Sequence, residues 1–196
     1  MCGIFGYVGK VPEATLVELA LLAESRGPHA FGLLYWKDGL RICKETGKIG
    51  NKLAYLQAAV GAAWMIGHCR LATSGNQADV NDTQPLLVNG RAIAHNGNVN
   101  RYTELYEEHG YTPYTANDSE ALLMLLASRT ITMDEVHKHS QPAAVAYYNG
   151  NTISLCSTGQ PLYVEQTENY HAFCSRKFGN ASKLGNDIVN LSILPQ

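Results

Sequence analysis

No stretch of the 196 residues approaches the ~20 consecutive apolar positions a helix needs to cross a bilayer. The N-terminus, MCGIFGYVGK, lacks the charged head and long apolar run of a secretory leader. A cytoplasmic protein with no membrane association is expected. Basic excess is missing as well: 15 Lys and Arg stand against 17 Asp and Glu, a formal charge of −2. With no cationic stripe for a phosphate backbone, nucleic acid is not an expected direct partner. The five cysteines, Cys2, Cys43, Cys69, Cys156 and Cys174, contain no CxxC pair, and their odd number and wide spacing predict reduced thiols rather than zinc or a redox couple. His137 and His139 would diverge on a helix and have only Asp134 and Glu135 nearby, so neither a metal nor a cofactor is expected. Repeats, low-complexity tracts and flexible linkers are also absent. The chain 1–196 therefore reads as a single domain, long enough to bury a core without disulfides or metal.

What is present is many short strands with a few helices. Residues 4–8 read as a buried strand, and residues 11–23 as a helix with Leu16, Leu19, Ala20 and Ala23 on one face. Residues 31–36 and 41–44 flank Asp38-Gly39, a two-residue hairpin signal repeated at Asn89-Gly90 and Asn149-Gly150. Residues 52–60 and 102–109 read as helices, and 63–68 as a buried strand. The clearest helix is 119–129, with Ala121, Leu122, Leu125 and Leu126 on one face after the cap-competent pair Asn117 and Asp118. Strands follow at 143–148, 152–156, 162–165 and 171–174, then a helical or irregular 176–183 and a strand at 188–194. So many strands point to two sheets.

Four segments carry potential chemistry. Removal of Met1 would leave Cys2 with both a thiol and an α-amine. An α-amine titrates at about 7.7–8.0 and can take the thiol proton without a histidine. Gly3 beside it permits close backbone approach where a bulkier residue would obstruct a substrate. In GHCRLATSG (67–75), Arg70 ends an apolar strand, where a guanidinium can grip an α-carboxylate through two parallel hydrogen bonds; Thr73 can add a hydroxyl. In IAHNGNVNRYTEL (93–105) a strand stops at a turn. There the Asn96 amide and the Gly97 N–H can converge as the two donors of an oxyanion site. Asp118 reads as a helix N-cap whose carboxylate can also meet an α-ammonium. Each segment has an ordinary alternative: a buried Cys, an Arg paired with a neighbouring acid or loop carbonyls, a plain β-turn, a cap. His109 and His171 read as surface or satisfied histidines.

Taken in order, MCGIFG, RGPHAFG, GHCRLATSG, the AHNGN turn and NDSEA resemble the glutaminase domain of class II glutamine amidotransferases, within the N-terminal nucleophile hydrolases; the similarity spans residues 2 to about 126. The resemblance implies an α+β fold: a four-layer αββα sandwich of two mainly antiparallel sheets flanked by helices. It implies that Cys2 is nucleophile and, through its amine, general base, that Asn96 and Gly97 form the oxyanion hole, that Arg70 binds the glutamine carboxylate and that Asp118 binds its ammonium. Thr73, Ser74 and Gly75 would line the pocket, with Arg26 and Gly3 in support. Three positions depart from the family's pattern: His29 stands where it usually has Asp, Leu71 where an aromatic is frequent, and Ser74 where glucosamine-phosphate synthases often have His. These departures argue against assigning glucosamine, purine or asparagine synthesis by analogy. The implied reaction converts L-glutamine to glutamate and ammonia. Because the chain stops at Gln196 without room for a synthase, a separate ammonia-accepting subunit is the expected partner, with activity low until it docks. Two rivals are an amidohydrolase of the same superfamily acting on another γ-glutamyl or amide bond, and an inactive regulatory or binding homologue.

Overall fold

The computed structural model describes residues 1–71 and 79–193. The chain starts in β1 (Gly3–Gly9), crosses α1 (Glu13–Glu24), and returns through the hairpin of β2 (Ala30–Trp36) and β3 (Leu40–Thr46). A 3-10 turn at Ile49–Asn51 and α2 (Ala54–Ala59) lead to β4 (Trp64–Arg70). Next come β5 (Leu86–Val88), β6 (Arg91–Asn96), α3 (Tyr102–Glu108), α4 (Ser119–Ala127) and the single turn α5 (Val136–His139). Strands β7 (Ala144–Tyr148), β8 (Thr152–Ser157), β9 (Tyr163–Gln166), β10 (Tyr170–Cys174), β11 (Ser182–Lys183) and β12 (Val189–Ser192) complete it.

These strands form a seven-stranded sheet, β11-β9-β10-β1-β4-β2-β3, and a five-stranded sheet, β12-β8-β7-β6-β5, with the strand pairings among the described residues all antiparallel. Side-chain alternation divides each central strand between two cores. On β1, Phe5 and Tyr7 face the helix side, where α1 supplies Leu16, Leu19, Ala20 and Ala23. Ile4 and Val8 point the other way, into a layer built with Ile66 and Phe173 of the same sheet and Ala94, Ala146 and Leu155 of the facing one. A third cluster packs Ile93 and Val145 beneath Leu122, Leu123 and Leu125 of α4. The result is the αββα sandwich, and α4, buried over Ser119–Leu126, is its most enclosed helix. Burying one leucine side chain is worth about 1.5–3 kcal/mol.

Several local details differ from expectation. Asn89 (φ 50°) and Gly90 (φ 72°) make the two-residue hairpin, with Val88 opposite Arg91. Asp38 and Gly39 also have positive φ, but Trp36 pairs with Leu40, so that loop has three residues. At Asn149-Gly150 the last paired residues are Tyr148 and Ile153; beyond them the Asn149 N–H donates to the Thr152 carbonyl at 3.1 Å, while the Asn149 carboxamide accepts from the N–H groups of Asn151 and Thr152. The 52–60 helix is shortened to α2, and 176–183 is irregular except for β11, which pairs with β9. All five cysteines are free thiols; Cys69, Cys156 and Cys174 are buried, Cys43 half-buried. Among the described residues no helix is long and apolar enough to cross a membrane, and no cluster of His, Cys, Asp or Glu could hold a metal ion.

Candidate active site

At one end of the sandwich the layer between the sheets changes from apolar to polar. Cys2 precedes Ile4 by one pleat, His68 and Arg70 follow Ile66 on β4, Asn96 follows Ala94 on β6, and Ser175 follows Phe173 just past β10. Alternation therefore puts all five on the inter-sheet face. A cavity of about 520 Å³ opens there, bordered by Cys2, Arg70, Asn96, Gly97 and Asp118, with His68 and Asp82 in its wall. The five residues singled out for catalysis and substrate binding, other than Thr73 and Ser74, thus meet in one place. Thr73, Ser74 and Gly75 lie outside the described residues.

The Cys2 sulfur accepts a hydrogen bond from the Leu71 N–H at 3.3 Å. Burial raises the Cys2 thiol above its ordinary value, opposed by that N–H, by the chain-terminal ammonium and by Arg70 and Arg26. Arg26 reaches the site from the end of α1: its Nε donates to the Cys2 carbonyl at 2.7 Å and its Nη2 to Gln160 Oε1 at 3.4 Å. The guanidinium thus fixes the backbone that carries the thiol. Gly3 serves a different purpose from the one expected. A Cβ there would lie 2.2 Å from the Ala23 carbonyl oxygen, so its missing side chain admits the α1 backbone rather than a substrate. His29 donates its backbone N–H to the Arg70 carbonyl at 3.0 Å, where β2 meets β4.

The turn after β6 is held from behind. Asn96 Nδ2 donates to Ser175 Oγ at 3.1 Å, and the same oxygen accepts the Ile4 N–H at 2.9 Å, linking the turn to β1. At Gly97, φ is +154°, and a Cβ would fall 2.6 Å from His95 Nε2 and 2.7 Å from Ser140 Oγ. Only glycine fits above the His95 ring. That ring lies on the opposite face of β6, bonded to Ser119 Oγ at 2.9 Å and Ser140 Oγ at 2.8 Å, and burial lowers its pKa to about 4. Gln84 completes the support, accepting the His95 N–H at 2.6 Å and donating to Ser119 Oγ at 3.0 Å.

Asp118 is not the side-chain cap of α4. Asn117 Oδ1 accepts the Ser119 N–H at 3.0 Å, while the Asp118 carboxylate accepts the Val99 N–H at 2.6 Å across the cavity edge. Burial raises the Asp118 pKa, with that N–H opposing. Such a carboxylate gains more from a cationic ligand than an exposed one would. Arg70 is 7% exposed; its Nη1 donates to the Asp79 carbonyl at 3.3 Å and its Nη2 stands 4.0 Å from Asp82 Oδ2. Its place is the end of a central strand, between β1 and β2, rather than an edge. Both ring nitrogens of His68 and the Asn96 Oδ1 are buried at this cavity, with no close hydrogen-bond partner among the described residues beyond a backbone interaction of the His68 ring with His95. Burial, reinforced by the charges of His95 and Arg70, lowers the His68 pKa to about 3, so the ring is neutral.

Sequence reasoning missed Asp82, Gln84, Ser119, Ser140, Ser175 and His68. Only His68 carried a usable signal, since it shares the face of Arg70 one pleat deeper.

Comparisons with known proteins bear on the family and the fold. The profile of the class-II glutamine amidotransferases matches residues 1–189. A glutamine–fructose-6-phosphate aminotransferase of Bacillus licheniformis is 27% identical over 191 residues, covering 89% of this chain and 32% of that enzyme. The same enzyme of Agrobacterium fabrum is 36% identical over 137 residues, or 66% and 22% of the two chains. The chain thus spans about a third or less of the length of these relatives. In fold it is similar to a glutamine phosphoribosylpyrophosphate amidotransferase from B. subtilis, with TM-score 0.73 and 21% identity over all of this chain and 50% of that one. A glutamine aminotransferase class-II domain protein from Silicibacter pomeroyi superposes with TM-score 0.60 at 14% identity, covering 99% of this chain and 100% of that one.

Proposed function

The chain belongs to the class II glutamine amidotransferases, and from that premise we propose that it hydrolyses the side-chain amide of free glutamine, with Cys2 as nucleophile once Met1 is removed. The observation that carries this reading is the convergence of Cys2, Arg70, Asn96, Gly97 and Asp118 on one cavity. The α-amine of Cys2 takes the thiol proton, and the thiolate attacks the glutamine Cδ. The resulting oxyanion is met by the Gly97 N–H and by the Asn96 Nδ2 proton not engaged with Ser175. Collapse of this intermediate expels ammonia, the ammonium of Cys2 returning the proton. Water then attacks the thioester, yielding glutamate and the free thiol. Arg70 receives the α-carboxylate and Asp118 the α-ammonium.

The ammonia passes to an acceptor enzyme, proposed to be a separate subunit whose docking raises the glutaminase rate. Affinity purification from the source cell, followed by glutaminase assay with and without the co-purifying protein, tests this; equal rates count against it. For the chemistry itself, Cys2→Ala is expected to release no glutamate from glutamine. Turnover like that of the wild type would defeat the mechanism.

A further inference from the structure

Asp82 touches both halves of the proposed substrate grip. It ends the 3-10 turn Val80–Asp82, which lies beside the Arg70 guanidinium: the carbonyl of Asp79, just before the turn, accepts from Nη1 at 3.3 Å, and the Asp82 Oδ2 stands 4.0 Å from Nη2. The other carboxylate oxygen, Oδ1, accepts the Ala116 N–H at 2.9 Å, and the Asp82 carbonyl accepts Asn117 Nδ2 at 2.7 Å. Ala116 and Asn117 immediately precede Asp118, and Asn117 caps the helix that begins beside it. Asp82 is 5% exposed and borders the cavity. One buried residue therefore sets one oxygen beside the guanidinium, at ion-pair rather than hydrogen-bond distance, and accepts from the backbone leading to Asp118 with the other.

We propose that Asp82 is a specificity-determining positioning residue that couples recognition of the substrate's α-carboxylate at Arg70 to recognition of its α-ammonium at Asp118. The inference rests on the glutaminase reading. A carboxylate arriving at Arg70 draws the guanidinium and, through Oδ2, the Asp82 side chain. Oδ1 transmits that position to Ala116 and hence to Asp118. A ligand with both groups settles the two grips together, whereas a ligand with one group must order the other grip unaided. Lys44, whose Nζ donates to the Asn81 carbonyl at 3.2 Å, lies close enough for Asp82 to oppose the loss of its charge. The turn is thus also tied to β3.

The test compares four amides in the wild type, Asp82→Ala and Asp82→Asn: glutamine, its analogue without the α-amine (glutaramate), its analogue without the α-carboxylate (4-aminobutanamide), and butanamide, which lacks both. In the wild type the gain in kcat/KM from having both groups should exceed the product of the separate gains by on the order of tenfold, as for contacting groups in a double-mutant cycle. In Asp82→Ala that factor should fall to about one, with the loss greatest on glutamine and least on butanamide. Asp82→Asn keeps the acceptor for Ala116 and loses the charge beside Arg70, so its losses should be confined to the amides that carry a carboxylate. It also remains informative if the alanine variant melts below assay temperature. An equal loss on all four amides, or an unaltered coupling factor in both variants, overturns the inference and leaves the glutaminase reading standing. Absence of glutamine hydrolysis by the wild type overturns both.

Discussion

The two ends of the layer between the sheets use the same strands for opposite purposes. Over most of its length, Ile4, Ile66, Ala94, Ala146 and Leu155 meet in a dry core. One or two pleats further along, on β4, β6 and the residue before β1, the positions carry His68, Arg70, Asn96 and Cys2 and border a cavity, with Ser175 past β10 holding Asn96 from behind. Register, twist and direction are continuous between the ends; only the side chains change. The comparison teaches that the apolar end supplies the rigidity that holds polar groups at fixed positions, and that the polar end carries the buried groups which a purely stable protein would lack.

Substitutions should separate the two ends. The largest effect on turnover short of losing the thiol is expected for Asn96→Ala, which removes one oxyanion donor and should lower kcat on the order of a hundredfold to a thousandfold. Its melting transition should shift far less than that of a core cavity mutant, and the pair of measurements checks both. At the apolar end, Ile66→Ala should cost about 2–5 kcal/mol of stability in denaturant titration and leave kcat of the folded enzyme close to wild type. If Ile66→Ala instead lowered kcat a hundredfold without changing stability, the division between the ends would be wrong.

Acid should act on the polar end next. His68 and His95 have folded pKa values of about 3 and about 4, below the ordinary ~6.5, so the native state binds fewer protons than the unfolded chain between these limits. Their contribution is fully present above pH ~6.5 and is lost as pH falls toward the folded values. The slope is up to about 1.4 kcal/mol per pH unit for each ring. Asp118, raised by burial, contributes with the opposite sign. Denaturation titrations between pH 7 and 4 should show the loss, and replacing His95 by Gln should flatten it. The smallest effect is expected at Asn117, whose conversion to Ala removes the α4 cap and the tie to the Asp82 carbonyl, at about 0.5–2 kcal/mol.

How much of this was legible in the sequence follows from the range of each interaction. Strand alternation and the Asn-Gly and Asp-Gly turns are local, so both sheets and most hairpins could be read directly. Helix α4 could be read for the same reason. The cap was misassigned because capping preferences rank Asp118 and Asn117 alike, whereas the competitor that takes Asp118, the Val99 N–H, arrives from 19 positions away. Ser175 and Asp82 escaped notice because nothing in their neighbourhoods is unusual. They matter through partners 79 and 34 positions distant, Asn96 and Ala116 respectively. Gly3 was read for the right property and the wrong neighbour, since sequence alone does not show that α1 packs against that position. Cys2, Arg70, Asn96, Gly97 and Asp118 were legible as candidates, and the fold adds that they border one cavity.

The central claim is that Cys2, bearing a free α-amine, forms the covalent bond to substrate. Its most direct test is acid-quench mass spectrometry of the purified protein during turnover of glutamine, with mapping of the N-terminal peptide. The account predicts that Met1 is absent and that a glutamyl adduct appears on Cys2 and disappears when glutamine is exhausted. Steady glutamate release from protein that retains Met1, or from the Cys2→Ala variant at the wild-type rate, would contradict it.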